Sequence, residues 1–350
     1  MNPSLFLLLL ALLLALYLGW GIKFLPGERW QFFAAMPLRK GEDGVWAGLN
    51  LTWYGLLTAN AYGVAVAVLF FLLGTIGIPF SGTAALAILL LAVCVPASRL
   101  VARVVEKKAH TFTVGGAVFV GVLLSPAVVL IVNRILGMKL DFQLPLPAAL
   151  AALVIAYALG EGLGRLACIS FGCCYGRRLS DAPLWLQRSF AGRCFIFIGK
   201  TRKIAYAGGM EGEKVLPVQA LTAILYSGCG LVGICLFLQA HFAVAFLFTL
   251  SVTQGWRVLS EILRDDYRGS GRFSAYQIMG LVAILYGAGA LLLAPSTPTP
   301  IPALAAGLSL LWRPAPLLFL QFLWLVIFFY TGRSTVTGSR LSFYVHQDRI

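Results

Sequence analysis

Arg257, Glu261 and Arg264 stand at i, i+4 and i+7, the spacing that lines three side chains along one stripe of a helix. A carboxylate between two guanidinium groups orients them, and two inward-facing guanidinium groups suit a phosphate. Glu161 and Arg165 repeat the acid–arginine pairing at i, i+4 inside an apolar run. An ionisable side chain there is costly, faces the protein interior and marks function. The same stretch runs on through Cys168, Gly172, Cys173, Cys174 and Gly176. Three thiols among glycines at a tight turn are candidate reactive thiols beside Arg165 and Arg177, with packing or a disulfide as the plainer alternatives. Their spacing is not a paired zinc pattern, and the residues indicate no metal and no organic cofactor. His110, one of three histidines, is a candidate general base. Gly115-Gly116, at the mouth of a span, lets a backbone or a headgroup come close. Tyr54 belongs to Trp53-Tyr54-Gly55-Leu56, where the aromatic pair suits a membrane interface.

The elements that carry these residues are apolar runs. The 350 residues are 60% hydrophobic and 11% charged, against roughly 25% charged in a soluble domain. Runs near 4–22, 52–73, 82–104, 113–136, 146–168, 217–238, 242–260, 274–294 and 315–331 each approach the ~20 residues a spanning helix needs. They are continuous rather than alternating, which excludes a β-barrel. Pro314 and Pro316 break the last region, so 303–312 reads as an interfacial or re-entrant piece. The segment 169–216 mixes basic residues with the apolar stretches FIFIG and IAYAG and predicts short strands in a small extramembrane subdomain. The net charge is +14. In a membrane chain that speaks for anionic headgroups and topology, and no motif supports nucleic acid as a partner.

Taken in order, these clusters resemble the prolipoprotein diacylglyceryl transferase family over about 50–293. Trp53 to Leu56 match the opening of its first core span, and Arg99 matches an arginine near the end of the second. Gly115-Gly116 match the pair that opens the third. Gly164, Arg165, Ala167 and Gly176 fit its signature segment, Pro217-Val218-Gln219 a Pro-x-Gln motif, Arg257, Glu261 and Arg264 an Arg-x-x-x-Glu-x-x-Arg motif, and Ser274 with Gln277 a final Ser-x-x-Gln. Cys168, Phe171 and Cys173 replace two asparagines and a glutamate of the signature, and Val114 and Leu216 replace two histidines.

The apolar runs predict an all-α polytopic membrane protein of about nine helices, and the resemblance implies how they are grouped and what they do. A seven-helix transferase-like core (51–294) would carry one extra helix at each end, within 1–50 and 295–350. It implies transfer of a diacylglyceryl group from phosphatidylglycerol to a cysteine thiol of a lipoprotein precursor peptide, in a bacterial plasma (inner) membrane. Arg165, Arg257, Glu261 and His110 would be catalytic. Arg264, Arg99, Gly115, Gly116, Tyr54, Gly176 and Gln219 would bind substrate. A related headgroup transferase with another acceptor, or a lipid-binding or transport protein without the chemistry, stays open because the signature is altered. With nine spans, 24 of the 27 Lys and Arg fall on one side. The positive-inside rule makes that side cytoplasmic, whereas the family's active face is periplasmic.

Overall fold

A computed structural model describes residues 2–106, 114–265, 273–295, 300–334 and 348. His110 lies outside the described residues. Among those described, nine helices are long and apolar enough to cross a membrane. They are α1 (Pro3–Phe24), α2 (Trp53–Thr75), α3 (Phe80–Val105), α4 (Val114–Leu140), α5 (Leu146–Phe171), α8 (Val218–Leu238), α9 (Phe242–Ser260, running on as a 3₁₀ turn to Leu263), α10 (Ala275–Leu292) and α12 (Pro314–Thr331). The chain is a multi-pass membrane protein, and the nine expected spans agree with these within a few residues.

α5 is the axis of the bundle. Of its apolar stretch 72% is buried, against 17% for α1 and 11% for α12, so the terminal helices present their leucines and phenylalanines to lipid. α5 is rich in small residues, and buried Ala148, Ala149, Ala151 and Ala152 line it. Small residues let helix backbones approach in the absence of a hydrophobic drive between helices. A Cβ on Gly160 would lie 2.8 Å from that of Ala65 in α2, and one on Gly162 2.8 Å from Ser227 Oγ in α8. α9 packs on both α5 and α8, α10 on α9, and α3 on α4.

The segment 303–312 contains α11 (Leu304–Leu311). Its eight residues span only about 12 Å and cannot cross. It lies along the far end of α2, with the Ala303 amide donating to Thr75 O at 2.7 Å. α12 then returns, and at its end Gly332 O accepts from the Thr52 amide and hydroxyl at 2.7 and 2.9 Å. The end of the last helix therefore meets the start of α2, as an odd number of crossings requires.

Two extramembrane features depart from expectation. The segment 23–50, where the apolar runs predict no element, contributes an antiparallel hairpin, β1 (Phe32–Lys40) with β2 (Trp46–Thr52). Within 169–216 the stretch FIFIG does supply a strand, Phe195–Ile196, paired with Lys214–Val215. IAYAG lies instead in a short helix, α7 (Lys203–Gly208), and α6 (Leu184–Phe190) is also helical.

One buried residue fastens this subdomain to the ends of α1 and α5. Arg202 is fully buried. Its guanidinium donates to Ile169 O at 2.9 Å and Ser170 O at 2.8 Å at the end of α5, to Leu25 O at 2.9 Å and to Gly27 O just past α1, and to Ile198 O at 2.8 Å in its own loop. Burial draws it down to about 10, so it remains charged at neutral pH. A lysine has three donors on one point and cannot reproduce a planar fork. Arg202→Lys is expected to destabilise the protein by on the order of 2–4 kcal/mol through unmet buried carbonyls. Thermal unfolding in detergent checks this, and an unchanged midpoint would contradict the fastening role.

Candidate active site

The charged centre is built on α5. Tyr157, Glu161 and Arg165 follow at successive turns of one face. Arg165 Nη2 donates to Glu161 Oε1, and Arg257 Nη2 from α9 lies 3.5 Å from the same oxygen. Arg257 also donates to the Tyr157 hydroxyl at 3.2 Å. Tyr226 packs edge-on against Tyr157 at 6.0 Å and donates to Thr253 O at 2.6 Å. The Glu161 and Arg257 side chains are each 7% exposed and that of Arg165 11%.

Gly115 explains why α4 opens with glycines. A Cβ there would stand 2.6 Å from Arg257 Nη1 and 2.7 Å from the Tyr276 ring, so any larger residue would displace the guanidinium. Gly116 instead receives Val101 of α3, and its part is packing.

Arg165, Arg257 and Arg264 stand against Glu161 and Glu261, which leaves one positive charge in excess. Arg165 Nε and Arg257 Nε are buried and have no hydrogen-bond partner among the described residues. Buried donors of this kind cost about 1–3 kcal/mol each when unmet. An anionic group between the two arginines would meet both donors and balance the charge.

Arg264 does not continue the stripe of Arg257 and Glu261. Regular helix ends at Ser260, and Arg264 is extended (φ −96°, ψ 156°). It forms a β-bridge with Gly176, while the Arg177 amide donates to Leu263 O at 3.0 Å and the Leu216 amide to Arg177 O at 3.0 Å. A side chain on Gly176 would strike Leu216 O, so glycine is needed for this close pass. The result still brings Arg264 to the site, from the loop side, where its charge acts on Cys174. Glu261 is half-buried and close enough to Arg257 to act on it electrostatically.

The cysteines converge because of how α5 ends. Gly172 is left-handed (φ 68°), its amide donates to Ile169 O at 3.2 Å, and the Cys173 amide reaches Cys168 O at 3.0 Å. This is a Schellman cap, which folds the residue after the glycine back over the last turn. Here the two residues brought together are Cys173 and Cys168. Cys174 is itself left-handed (φ 57°), and the three Sγ atoms lie within 4.8 Å of one another. Gln219, almost fully buried, donates to Cys173 O at 2.9 Å. Tyr54 packs its ring on Phe171 at 5.7 Å beside these thiols.

Arg99 is not brought to this centre. It lies on the exposed side of α3, over the Tyr330 ring at 5.4 Å. Ser274 and Gln277 form a capping box at the start of α10, which accounts for that motif by helix termination.

Residues 45–293 match the family model for prolipoprotein diacylglyceryl transferase. The chain belongs to that family. Among curated proteins no relative matches the chain. The prolipoprotein diacylglyceryl transferase match spans α2 to α10, the helices that carry the charged centre and the cysteine turn. Membership makes the chain a transferase at the family level, with phospholipid and lipoprotein precursor as the family's substrates.

Sequence reasoning saw Glu161 only as a partner of Arg165, whereas it holds both arginines. Glu161 and Glu261 are the only acidic residues within the nine spans, and that count was the available signal. Tyr157, Tyr226 and Arg202 carried no comparable signal.

Hydrogen bonds from Cys168 and Cys173, then the positive charges of Arg264 and Arg165, hold the Cys174 thiol well below its ordinary value despite burial. Hydrogen bonds with Cys168 and Cys174, together with burial, push Cys173 up. Since the thiolate is the reactive form, Cys174 should keep its reactivity as pH falls toward neutrality, while Cys173 is already protonated there. In reductant and chelator, a polar alkylating reagent is expected to label Cys174 first, and Arg264→Gln to move the pH at which that labelling falls off upward. Peptide mass spectrometry reads both. Equal rates at the two thiols would contradict the assignment.

Proposed function

We propose that this chain transfers a diacylglyceryl group from phosphatidylglycerol to a cysteine thiol of a lipoprotein precursor, at the arginine-rich end of the bundle in the plasma membrane of a bacterium. The observation that carries the reading is the pair Arg165 and Arg257 around Glu161, with two buried Nε donors unmet and, with Arg264 counted against Glu261, one positive charge in excess. A phosphodiester headgroup supplies the missing negative charge, and arginine forks suit it.

In the proposed reaction the acceptor sulfur attacks the glyceryl carbon. The carbon–oxygen bond to phosphate breaks as the carbon–sulfur bond forms, and glycerol phosphate leaves carrying the charge. Arg165 and Arg257 would hold that charge as it grows, which is where preorganised donors act most strongly. Glu161 would fix both arginines, with Glu261 acting on Arg257 from the end of α9. Arg264 and Gly176 would shape the loop side of the pocket, Gly115 would admit the guanidinium, and Gln219 and Tyr54 would hold the cysteine turn against the lipid. Gly116 and Arg99 fit peripheral roles. His110 is proposed to take the thiol proton.

The charge count of the two sides argues for a cytoplasmic active face, yet several of those charges have internal partners. Arg165 and Arg257 share Glu161, and Arg202 is spent on backbone carbonyls. Internally bound arginines add little to topology, but setting these three aside leaves most of the basic residues on that side, so the periplasmic orientation proposed here rests on family membership.

A second reading is headgroup transfer to a different acceptor. It is favoured by the cysteine turn, which stands where the family's signature carries asparagine and glutamate.

The decisive assay incubates the purified protein with phosphatidylglycerol and a lipoprotein-precursor peptide. The expected products are a peptide heavier by one diacylglyceryl group and an equivalent of glycerol phosphate. Arg257→Gln and Arg165→Gln should each lower the rate about 10²–10³-fold in protein that still folds. Arg257→Lys should fare little better, because the fork is lost. Diacylglycerol released without peptide modification would favour the second reading. Neither product, together with failure to restore growth of a transferase-depleted strain, would overturn both.

A further inference from the structure

The three thiols are absent from the reaction just proposed, and their arrangement asks for another explanation. A cap that needs only a small apolar contact between its closing residues holds two cysteines instead, Cys168 and Cys173. The next residue, Cys174, takes a left-handed conformation (φ 57°), which a side-chain-bearing residue adopts at some cost. Glycine would adopt it freely. The conformation draws a third sulfur to the other two, with all three Sγ within 4.8 Å. A disulfide would engage two of these sulfurs and leave the third without a purpose. A bridge between neighbouring Cys173 and Cys174 would be strained.

We propose that Cys168, Cys173 and Cys174 form a binding site for one thiophilic d¹⁰ metal ion, Zn²⁺ or Cu⁺, with the fourth position open to an external ligand. Thiolates bound to zinc at about 2.3 Å stand about 3.8 Å apart, so the observed cluster needs to contract by no more than about 1 Å. Soft sulfur donors select this class of ion over magnesium or calcium. The charge also has positive neighbours. Three thiolates with Zn²⁺ carry one negative charge and with Cu⁺ two, and Arg165 and Arg264 are the positive groups acting on the cluster.

The surroundings are those of a supported site. Gln219 is 1% exposed, donates to Cys173 O at 2.9 Å, and its Oε1 is buried with no partner among the described residues. That oxygen is an acceptor for a proton on a fourth ligand, whether water or thiol. Tyr54 and Phe171 cover the cluster from the α2 side. Outer-shell groups of this kind orient ligands and strengthen binding. The residue spacing alone concealed the site, because the Schellman cap and the left-handed Cys174 bring together positions that do not form a paired zinc motif.

Metal binding is read without any transfer activity, so its failure and that of the transferase reading are separable. The full chain, purified in detergent under reductant without oxygen, is titrated with Co²⁺ and, separately, with Cu⁺ against a competing chelator. The expected result for the zinc arm is a thiolate-to-cobalt charge-transfer band that saturates at one ion per chain and disappears on adding zinc. For the copper arm it is one retained Cu⁺. Cys174→Ser should abolish binding, Cys229→Ser should leave it intact, and Gln219→Ala should weaken it about tenfold. Should Cys174→Ser fail to fold, the wild-type chain still decides. Bound metal is expected to protect Cys173 and Cys174 from alkylation, and chelator to restore labelling. Folded wild-type protein with three titratable thiols that retains neither ion, gives no charge-transfer band and gains no protection would overturn the proposal. So would a disulfide that persists through purification under reductant.

Discussion

One carboxylate oxygen serving two arginines at membrane depth is the constraint on which the rest of this structure depends. Charge in a low-dielectric interior costs several kcal/mol per group unless it is paired and hydrogen-bonded. Glu161 answers Arg165 from its own helix and Arg257 from α9 through the same Oε1. The arrangement fixes much of the bundle. α5 must be central, because the carboxylate cannot face lipid. α9 must pack on it closely enough to deliver a guanidinium. α4 must open with a glycine, because Arg257 lies where a Cβ of residue 115 would be. Tyr157 and Tyr226 line the space between the helices, where an aliphatic residue could not offer the hydroxyl that Arg257 uses. Glu161 and Glu261 do not neutralise Arg165, Arg257 and Arg264 together, and the proposed anion site rests on that surplus.

A second constraint operates at the end of α5. Arg202 gathers carbonyls from α1, α5 and its own loop and so fixes where the polar segment leaves the bundle. Gly172 lies against it, with room for a Cβ only 3.2 Å from Arg202 Cβ. The turn that follows has little freedom. The left-handed Cys174 and the bridge from Gly176 to Arg264 carry the chain past the thiols and along the end of α9. Arg165 and the first thiol of the sulfur cluster thus stand on one helix, about a turn apart.

The spans and the arginines were legible in the sequence for plain physical reasons. Apolar runs of about 20 residues have few soluble interpretations, and charges inside them are too costly to be idle. Local backbone geometry was not legible. The stripe of Arg257, Glu261 and Arg264 assumed continuous helix. The chain instead leaves the helix after Ser260 because the extended pairing of Arg264 with Gly176 lies far away in sequence. The hairpin of β1 and β2 hid in a segment whose alternation is weak, most of β1 being exposed on both faces. IAYAG has strand-like composition yet folds as a helical turn between Arg202 and the left-handed Gly209. Arg99 fits its family motif, but the face of α3 that carries it points away from the buried pair.

The central claim is that the Glu161 cluster is an anion site for a lipid headgroup, and equilibrium lipid binding tests it most directly. The protein in nanodiscs or mild detergent, offered equal phosphatidylglycerol and phosphatidylcholine, can be weighed intact by native mass spectrometry. The account predicts selective retention of the anionic lipid by the wild-type chain. It predicts loss of that selectivity in Arg257→Gln, and the same loss in Arg165→Gln. Equal retention of the two lipids by the wild-type chain, or selectivity undiminished when either arginine is neutralised, would contradict it.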